Sequence, residues 1–251
     1  MRQKIHERGI ILKLTPYGDT SLVVRCLTHS RGIISFLAKG LRKATDKTQL
    51  VLLQEYDLFL YPPTESGLYL FGSAEPLTEN TIYLKPQIWA AAECGIELLE
   101  NLEFSDDETS VFYDLTLKYL SYLDGITTNG ILIFWRYFLR VLKVAGLEMR
   151  SDHCANCGSP GHPIIGLDMQ TGLLICEDCP DPVREAVILL SSKASGIYNA
   201  LPGIGALLDQ IRLNRELILE INEFFLRYWE CHYHKTLKLK SLSVLCQFYP
   251  L

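Results

Sequence analysis

The chain predicts an α+β multidomain protein: a five-stranded β-domain first, then an α-helical domain into which a four-cysteine zinc module is inserted. Three observations carry this expectation. Five short apolar runs separated by turn formers fill residues 1–80, and no long helical pattern lies among them. From Lys85 onward the apolar period lengthens to that of helices. Between two groups of helices stand Cys154, Cys157, Cys176 and Cys179, in a C-x2-C-x18-C-x2-C pattern. The expected divisions are a β-domain over 1–80, helical segments over 81–150 and 183–251, and the zinc module over 151–182.

The strands are expected at Gly9–Leu14, Thr20–Thr28, Gly32–Gly40, Val51–Tyr61 and Gly67–Glu75. "TPYGD", "HSRG" and "PPTESG" punctuate them, as closely spaced turns of a small barrel or sandwich would. The polar stretch after the third run leaves a small helix there undecided. Pro86 opens "KPQIWAAAECGIELLENLEF", whose residues favour helix after a first-turn proline. "SDDETS" (Ser105–Ser110) reads as a charged connection. Gly130–Gly146 and Asn214–Leu237 read as further helices. In the latter, Leu217, Ile221, Phe224, Phe225 and Tyr228 recur at helical spacing, and core packing is the better account of them than base stacking.

The cysteine quartet is the most specific signal. Each C-x2-C turn brings two sulfurs to one point, and four thiolates close a tetrahedral zinc site. A closed site has no open coordination position, so one structural Zn2+ is expected rather than a catalytic metal. A thioredoxin-like dithiol would lack the second pair at this spacing. His153 and His162 read as solvated loop histidines beside a filled site. The other four cysteines, Cys26, Cys94, Cys231 and Cys246, lie singly in apolar stretches and read as small buried hydrophobes.

The 251 residues carry 24 basic and 29 acidic side chains, which argues against a globally basic nucleic-acid binder. The charges are segregated, however. Residues 1–50 hold ten Lys/Arg against three Asp/Glu, while residues 51–110 hold one against twelve. Such separation points to a basic face hidden by the mean charge. Lys39, Arg42 and Lys43 crowd one connection and are the expected main contacts to a phosphate backbone, with Arg25, Arg31 and Lys47 in support. Tyr17 and Phe36 are candidates to stack on bases, though either residue also suits a core. Arg136, Arg140 and Lys143 line one face of the Gly130–Gly146 helix, where an ordinary solvated face is the better reading. His232 and His234 stand two apart, a poor spacing for metal ligands on a helix. The carboxylates between 93 and 108 read as helix surface and linker.

No phosphate loop, G-x-S-x-G elbow or H-E-x-x-H motif is visible, so no catalytic residue and no small-molecule substrate is expected. There is no signal peptide pattern and no apolar run of membrane-spanning length, and a cytoplasmic protein is expected.

With these residues in hand, the chain resembles the RecO family of bacterial recombination mediators along nearly its full length. The resemblance rests on "GIILKLTPYGDTSLVVRCLTHSRGIISFLAKGLRK", "GLYLFGSAE", "FLRVLKVAGLEMRSDHCANCG" with "GLLICEDC", and "LKLKSLSVL". It departs at Asp19, where the family usually has Glu, and at Asp46, which interrupts the basic run. The resemblance implies an N-terminal OB-fold and a zinc module. It also implies binding of single- and double-stranded DNA, strand annealing, and work with RecR and the single-stranded DNA-binding protein SSB to load RecA. In that role the protein would join the nucleoid during repair. Two other readings stay open: an RNA-binding zinc-ribbon accessory factor, and a protein-interaction scaffold without direct DNA binding.

Overall fold

The computed structural model describes residues 3–43, 49–64, 67–103, 105–150, 154–179 and 186–251, the side chain of Lys43 excepted. The chain divides into two compact units, Met1–Lys85 with Glu103–Gly125, and Pro86–Leu102 with Ile126–Leu251.

The first unit is built on five strands: β1 (Ile5–Tyr17), β2 (Ser21–Thr28), β3 (Gly32–Ala38), β4 (Glu55–Tyr61) and β5 (Tyr69–Pro76). They close into a barrel in the order β1-β2-β3-β5-β4, with β3 and β5 parallel and the other neighbours antiparallel. This is the OB-fold arrangement. Closure depends on β1, which pairs with β4 through Ile5–Ile10 and with β2 through Gly9–Tyr17. The strand is longer than its apolar run because outward polar residues alternate through it, and a bulge between Ile11 and Lys13 turns it from one neighbour to the other. At Gly9, where both neighbours pair, a Cβ would lie 2.4 Å from Cys26 Sγ and 2.6 Å from Leu58 Cδ1. Only glycine fits that approach. The Val51–Tyr61 run is strand only from Glu55: Leu53 sits at φ +63° and gives its N–H to the Ile11 carbonyl at 2.8 Å.

The barrel interior is filled by Ile11, Val24, Cys26, Phe36, Ala38, Tyr56, Leu58 and Leu60. Phe36 is fully buried and stacks on Phe71 with centroids 5.7 Å apart, which removes it from the candidates for base stacking. Of the undecided segment after β3, the described part holds a 3-10 turn at Leu41–Lys43, and residues 44–48 lie outside the described residues.

The α-helices are α1 (Pro86–Glu100), α2 (Asp106–Asp124), α3 (Gly130–Val144), α4 (Ser192–Ala200), α5 (Arg215–Tyr233) and α6 (Lys240–Cys246). The stretch expected to be a charged connection is the beginning of α2. Ser105 caps that helix, and the Glu108 carboxylate accepts its backbone N–H at 2.8 Å and its hydroxyl at 2.9 Å. Asp106, Asp107 and Glu108 are the acidic first turn that a helix dipole favours. The helix lies within the barrel unit and contacts β2 and β3, although its sequence groups it with the helical segment over 81–150.

In the second unit α1 packs on α3 and α6. Gly130 permits the close approach to α1, since a Cβ there would meet that of Ala91 at 2.9 Å. The aromatic residues of α5 are core, as expected: Phe225 stacks on Phe138 at 5.1 Å, and Trp135 Nε1 donates to Asn222 Oδ1 at 2.8 Å. Cys94 and Cys246 are buried like Cys26, and Cys231 is half-buried. His232 lies by the Gly172 carbonyl at 3.2 Å, while His234 ends α5 at φ +51°. No described helix is long and apolar enough to cross a membrane.

The cysteine module contains a three-stranded sheet in the order β7-β6-β8, with β6 (Ile164–Asp168), β7 (Leu173–Cys176) and β8 (Val187–Leu189). The hairpin of β6 and β7 occupies the interval between the two cysteine pairs. Its third strand lies beyond residue 182, past the limit drawn from the sequence.

Candidate nucleic-acid interface and metal centre

The turn between β1 and β2, Gly18–Thr20, is held against the chain that leaves β3. Leu22 pairs with Ala38, which brings Lys39 and the 3-10 turn alongside. The Arg42 N–H donates to the Thr20 carbonyl at 2.9 Å, and Arg42 Nη1 donates to the Gly18 carbonyl at 3.0 Å. Gly18 at φ +55° and Gly40 at φ +75° supply the left-handed turns that this juxtaposition needs. Tyr17, Lys39 and Arg42 are all exposed, and Tyr17 is 60% accessible. Lys47 lies outside the described residues, as does the side chain of Lys43.

Beyond the turn, register sets a second basic row on the barrel's outer surface. Arg25 of β2 stands between Lys13 of β1 and Ser35 of β3. Val24 and Cys26 on either side of Arg25 point into the core, so Arg25 points out. Lys13 was not singled out from the sequence; the alternation of "ILKL" was the signal that would have found it.

Arg31 has a different environment. Its Nε donates to Glu7 Oε1 at 2.6 Å, and the same carboxylate accepts the Ser30 hydroxyl at 2.7 and 2.8 Å. Glu7 is only 5% exposed. Nearby, Arg8 pairs at 2.5 Å with the equally buried Glu55, which also accepts from Tyr113 of α2 at 2.6 Å. Burial, and then the Glu55 hydrogen bond, push the Tyr113 phenol far above its ordinary range. These cations neutralise carboxylates that the fold has removed from water.

The four sulfurs of Cys154, Cys157, Cys176 and Cys179 lie within 4.8 Å of one another. Cys154–Cys179 are 3.6 Å apart, and Cys157–Cys176 and Cys176–Cys179 are each 3.7 Å apart. A tetrahedron with metal–sulfur bonds of about 2.3 Å has edges of about 3.8 Å, so the donor set fits a metal ion at its centre. Disulfides would need sulfur contacts of about 2 Å. Gly158, at φ +71°, gives its N–H to the Cys154 carbonyl at 2.9 Å and closes the first knuckle. The Ser159 hydroxyl and N–H draw the exposed Cys157 thiol down to about 6, while burial pushes Cys176 up to about 12. A bound cation favours thiolate at both. His162 is not a fifth donor; its Nδ1 pairs with Asp178 in the second knuckle at 2.6 Å.

The stripe of Arg136, Arg140 and Lys143 lines a cavity of about 300 Å3 together with Arg150 and Met149. Arg140 and Lys143 are exposed and Arg136 is half-buried. Burial first, and Arg136 second, pull the Arg140 guanidinium below its usual value. Glu148 binds Lys143 at 2.8 Å.

A closed barrel of OB-fold topology, followed by a helical region with a four-thiol centre, defines a multidomain protein of the OB-fold class. The particular family follows from comparison with known proteins. Residues 1–79 match the recombination protein O N-terminal domain, and residues 85–242 match the recombination protein O C-terminal domain. The chain is 27% identical to the DNA repair protein RecO of Frankia casuarinae over 220 residues, covering 84% of this chain and 87% of that one. It is 27% identical to the DNA repair protein RecO of Bacillus velezensis over 243 residues, covering 95% and 92%. The chain belongs to the recombination protein O family, and with that membership goes a role in DNA repair and recombination.

Proposed function

We propose that this chain is a recombination mediator that binds single- and double-stranded DNA, anneals complementary strands and, with RecR, helps load RecA onto SSB-coated gaps. It would do so in the cytoplasm, at the nucleoid, without turnover chemistry. The observation that carries the reading is the open basic surface of the barrel, where Lys39 and Arg42 flank the β1–β2 turn. Lys39, Arg42 and Lys43 act as the main phosphate contacts, with Arg25 and Lys47 in support, while Arg31, paired with buried Glu7, stays outside the path. Annealing needs no bond-making catalyst: a cationic surface that screens two phosphate backbones raises their encounter rate. The cysteine centre holds one structural Zn2+, because four thiolates at tetrahedral spacing suit that ion and leave no open position.

The test is fluorescence anisotropy with a labelled single-stranded oligonucleotide across a salt series, comparing wild type with Lys39→Ala/Arg42→Ala/Lys43→Ala. Loss of both affinity and salt slope in the variant supports the reading. Equal binding by the two proteins moves the DNA path elsewhere, with the cavity of Arg136, Arg140 and Lys143 next to be tested. For the metal, the purified protein should carry one zinc by elemental analysis, and Cys176→Ser should carry none. Its zinc-module amides should also lose their exchange protection, since structural zinc sites contribute on the order of 10 kcal/mol to folding.

A further inference from the structure

We infer that Tyr17 is a base-stacking platform that gives the β1–β2 turn a preference for single-stranded over duplex DNA. The inference rests on the DNA-binding reading above and assigns a specificity-determining residue within it. Phe36, the other candidate to stack on bases, is sealed in the barrel core against Phe71. Tyr17 is the opposite case. It is 60% exposed at the end of β1, and among the described residues its ring and hydroxyl have no partner.

The support is rigid. Pro16 fixes the backbone immediately before Tyr17, and the strand pairing Tyr17–Ser21 fixes it from the side. The turn that follows is tied down twice by Arg42, through its N–H to Thr20 and its guanidinium to Gly18. A ring presented on such a frame loses little conformational entropy when a flat partner lands on it. The same arrangement brings two cations to the turn, Arg42 through its bond to Gly18 and Lys39 through the Leu22–Ala38 pairing beside it. Lys39 and Arg42 offer the phosphate contacts, while exposed Asp19 in the turn repels phosphate. A nucleotide is therefore drawn with its backbone toward Lys39 and Arg42 and its base toward Tyr17.

Only an unpaired base can use this surface. In a duplex the base faces are already stacked on their neighbours, and exposing one costs a few kcal/mol. The duplex consequently meets the cations alone, whereas a single strand gains the ring as well.

The experiment compares wild type, Tyr17→Ala and Tyr17→Trp across one salt series on three labelled probes: oligothymidine, an abasic strand of equal length, and a blunt duplex. Tyr17→Ala should weaken oligothymidine binding by about 5- to 100-fold, the range expected for one lost base–aromatic stack. It should leave the abasic strand, the duplex and the salt slope unchanged, and Tyr17→Trp should restore oligothymidine binding. Unchanged oligothymidine binding by Tyr17→Ala, or an equal loss on all three probes, overturns the assignment. Either result leaves the basic-surface reading intact if Lys39→Ala/Arg42→Ala still lowers the salt slope. If that double variant changes nothing, both readings fall together.

Discussion

The two turns at opposite ends of β2 carry similar numbers of cations and use them differently. At the β2–β3 turn, Arg31 is committed to Glu7, and the neighbouring Arg8 is committed to Glu55. At the β1–β2 turn, Arg42 donates to a neutral carbonyl, with no carboxylate hydrogen-bonded to it among the described residues, and Lys39 stands in solvent. The difference lies in what is buried nearby. A carboxylate removed from water must be matched by a cation, so the fold claims that cation first. A carbonyl asks only for a hydrogen bond and leaves the charge available to a phosphate. The count of basic residues in a segment therefore does not measure its basic surface. The buried acids must be subtracted, and their positions depend on register.

This contrast can be broken by exchanging the effects of the two sets of cations. The largest effect is expected for Lys39→Ala/Arg42→Ala. Two lost phosphate contacts should weaken single-strand binding by about 25-fold near 0.1 M salt and flatten the log–log salt slope by roughly 1.4. Its urea midpoint should stay within the range of ordinary surface changes, about 0.5 kcal/mol. Arg31→Ala should do the reverse. Removing the partner of buried Glu7 should cost about 2 kcal/mol in urea unfolding, less than for a fully buried pair because Arg31 is itself half-exposed. Its salt slope should stay within experimental error of wild type. If Arg31→Ala instead lowers the slope as much as one of the open cations does, the distinction between the turns is lost.

How much of this was legible in the chain depends on the distance between the interacting residues. The five strands and the cysteine quartet were readable because their signals are local: alternation within a run, and spacing within a knuckle. The start of α2 was also local, yet "SDDETS" reads as a connection by composition. The S-x-x-E pattern of Ser105 and Glu108 was the better guide, because the acidic residues that look like a linker are those that a helix N-terminus attracts. The partition of the cations was not readable. Glu7 and Arg31 lie 24 residues apart and meet through the register of the β1–β2 hairpin, whereas Arg8 and Glu55 lie 47 apart and meet through the β1–β4 pairing that closes the barrel. The same closure decided between Tyr17 and Phe36. One ends a strand at a turn, and the other faces inward from the middle of a strand that α2 and β5 help to bury.

The smallest expected effect sharpens the comparison from the helix side. Tyr113 of α2 donates to Glu55, so the closed turn is braced by a helix whose first turn depends on Glu108. The Ser105 N–H, and then its hydroxyl, hold the Glu108 carboxyl below its usual range. A carboxylate with a lowered folded-state pKa contributes stability above its unfolded value near 4.3, and this is lost as pH falls through the folded value. Glu108→Gln keeps a weaker acceptor but cannot titrate. At neutral pH it should cost at most about 1 kcal/mol, the scale of a helix cap. The gap between variant and wild type should narrow on acidification below about 4.3, where the wild-type side chain also becomes neutral. Amide exchange should locate the change. Protection should fall in the first turns of α2, while the amides of Ser21–Val24 beside the open turn should be unaltered. If the loss spreads equally to both turns, the barrel responds as one block, and the division between a braced turn and an open one describes charge alone rather than stability.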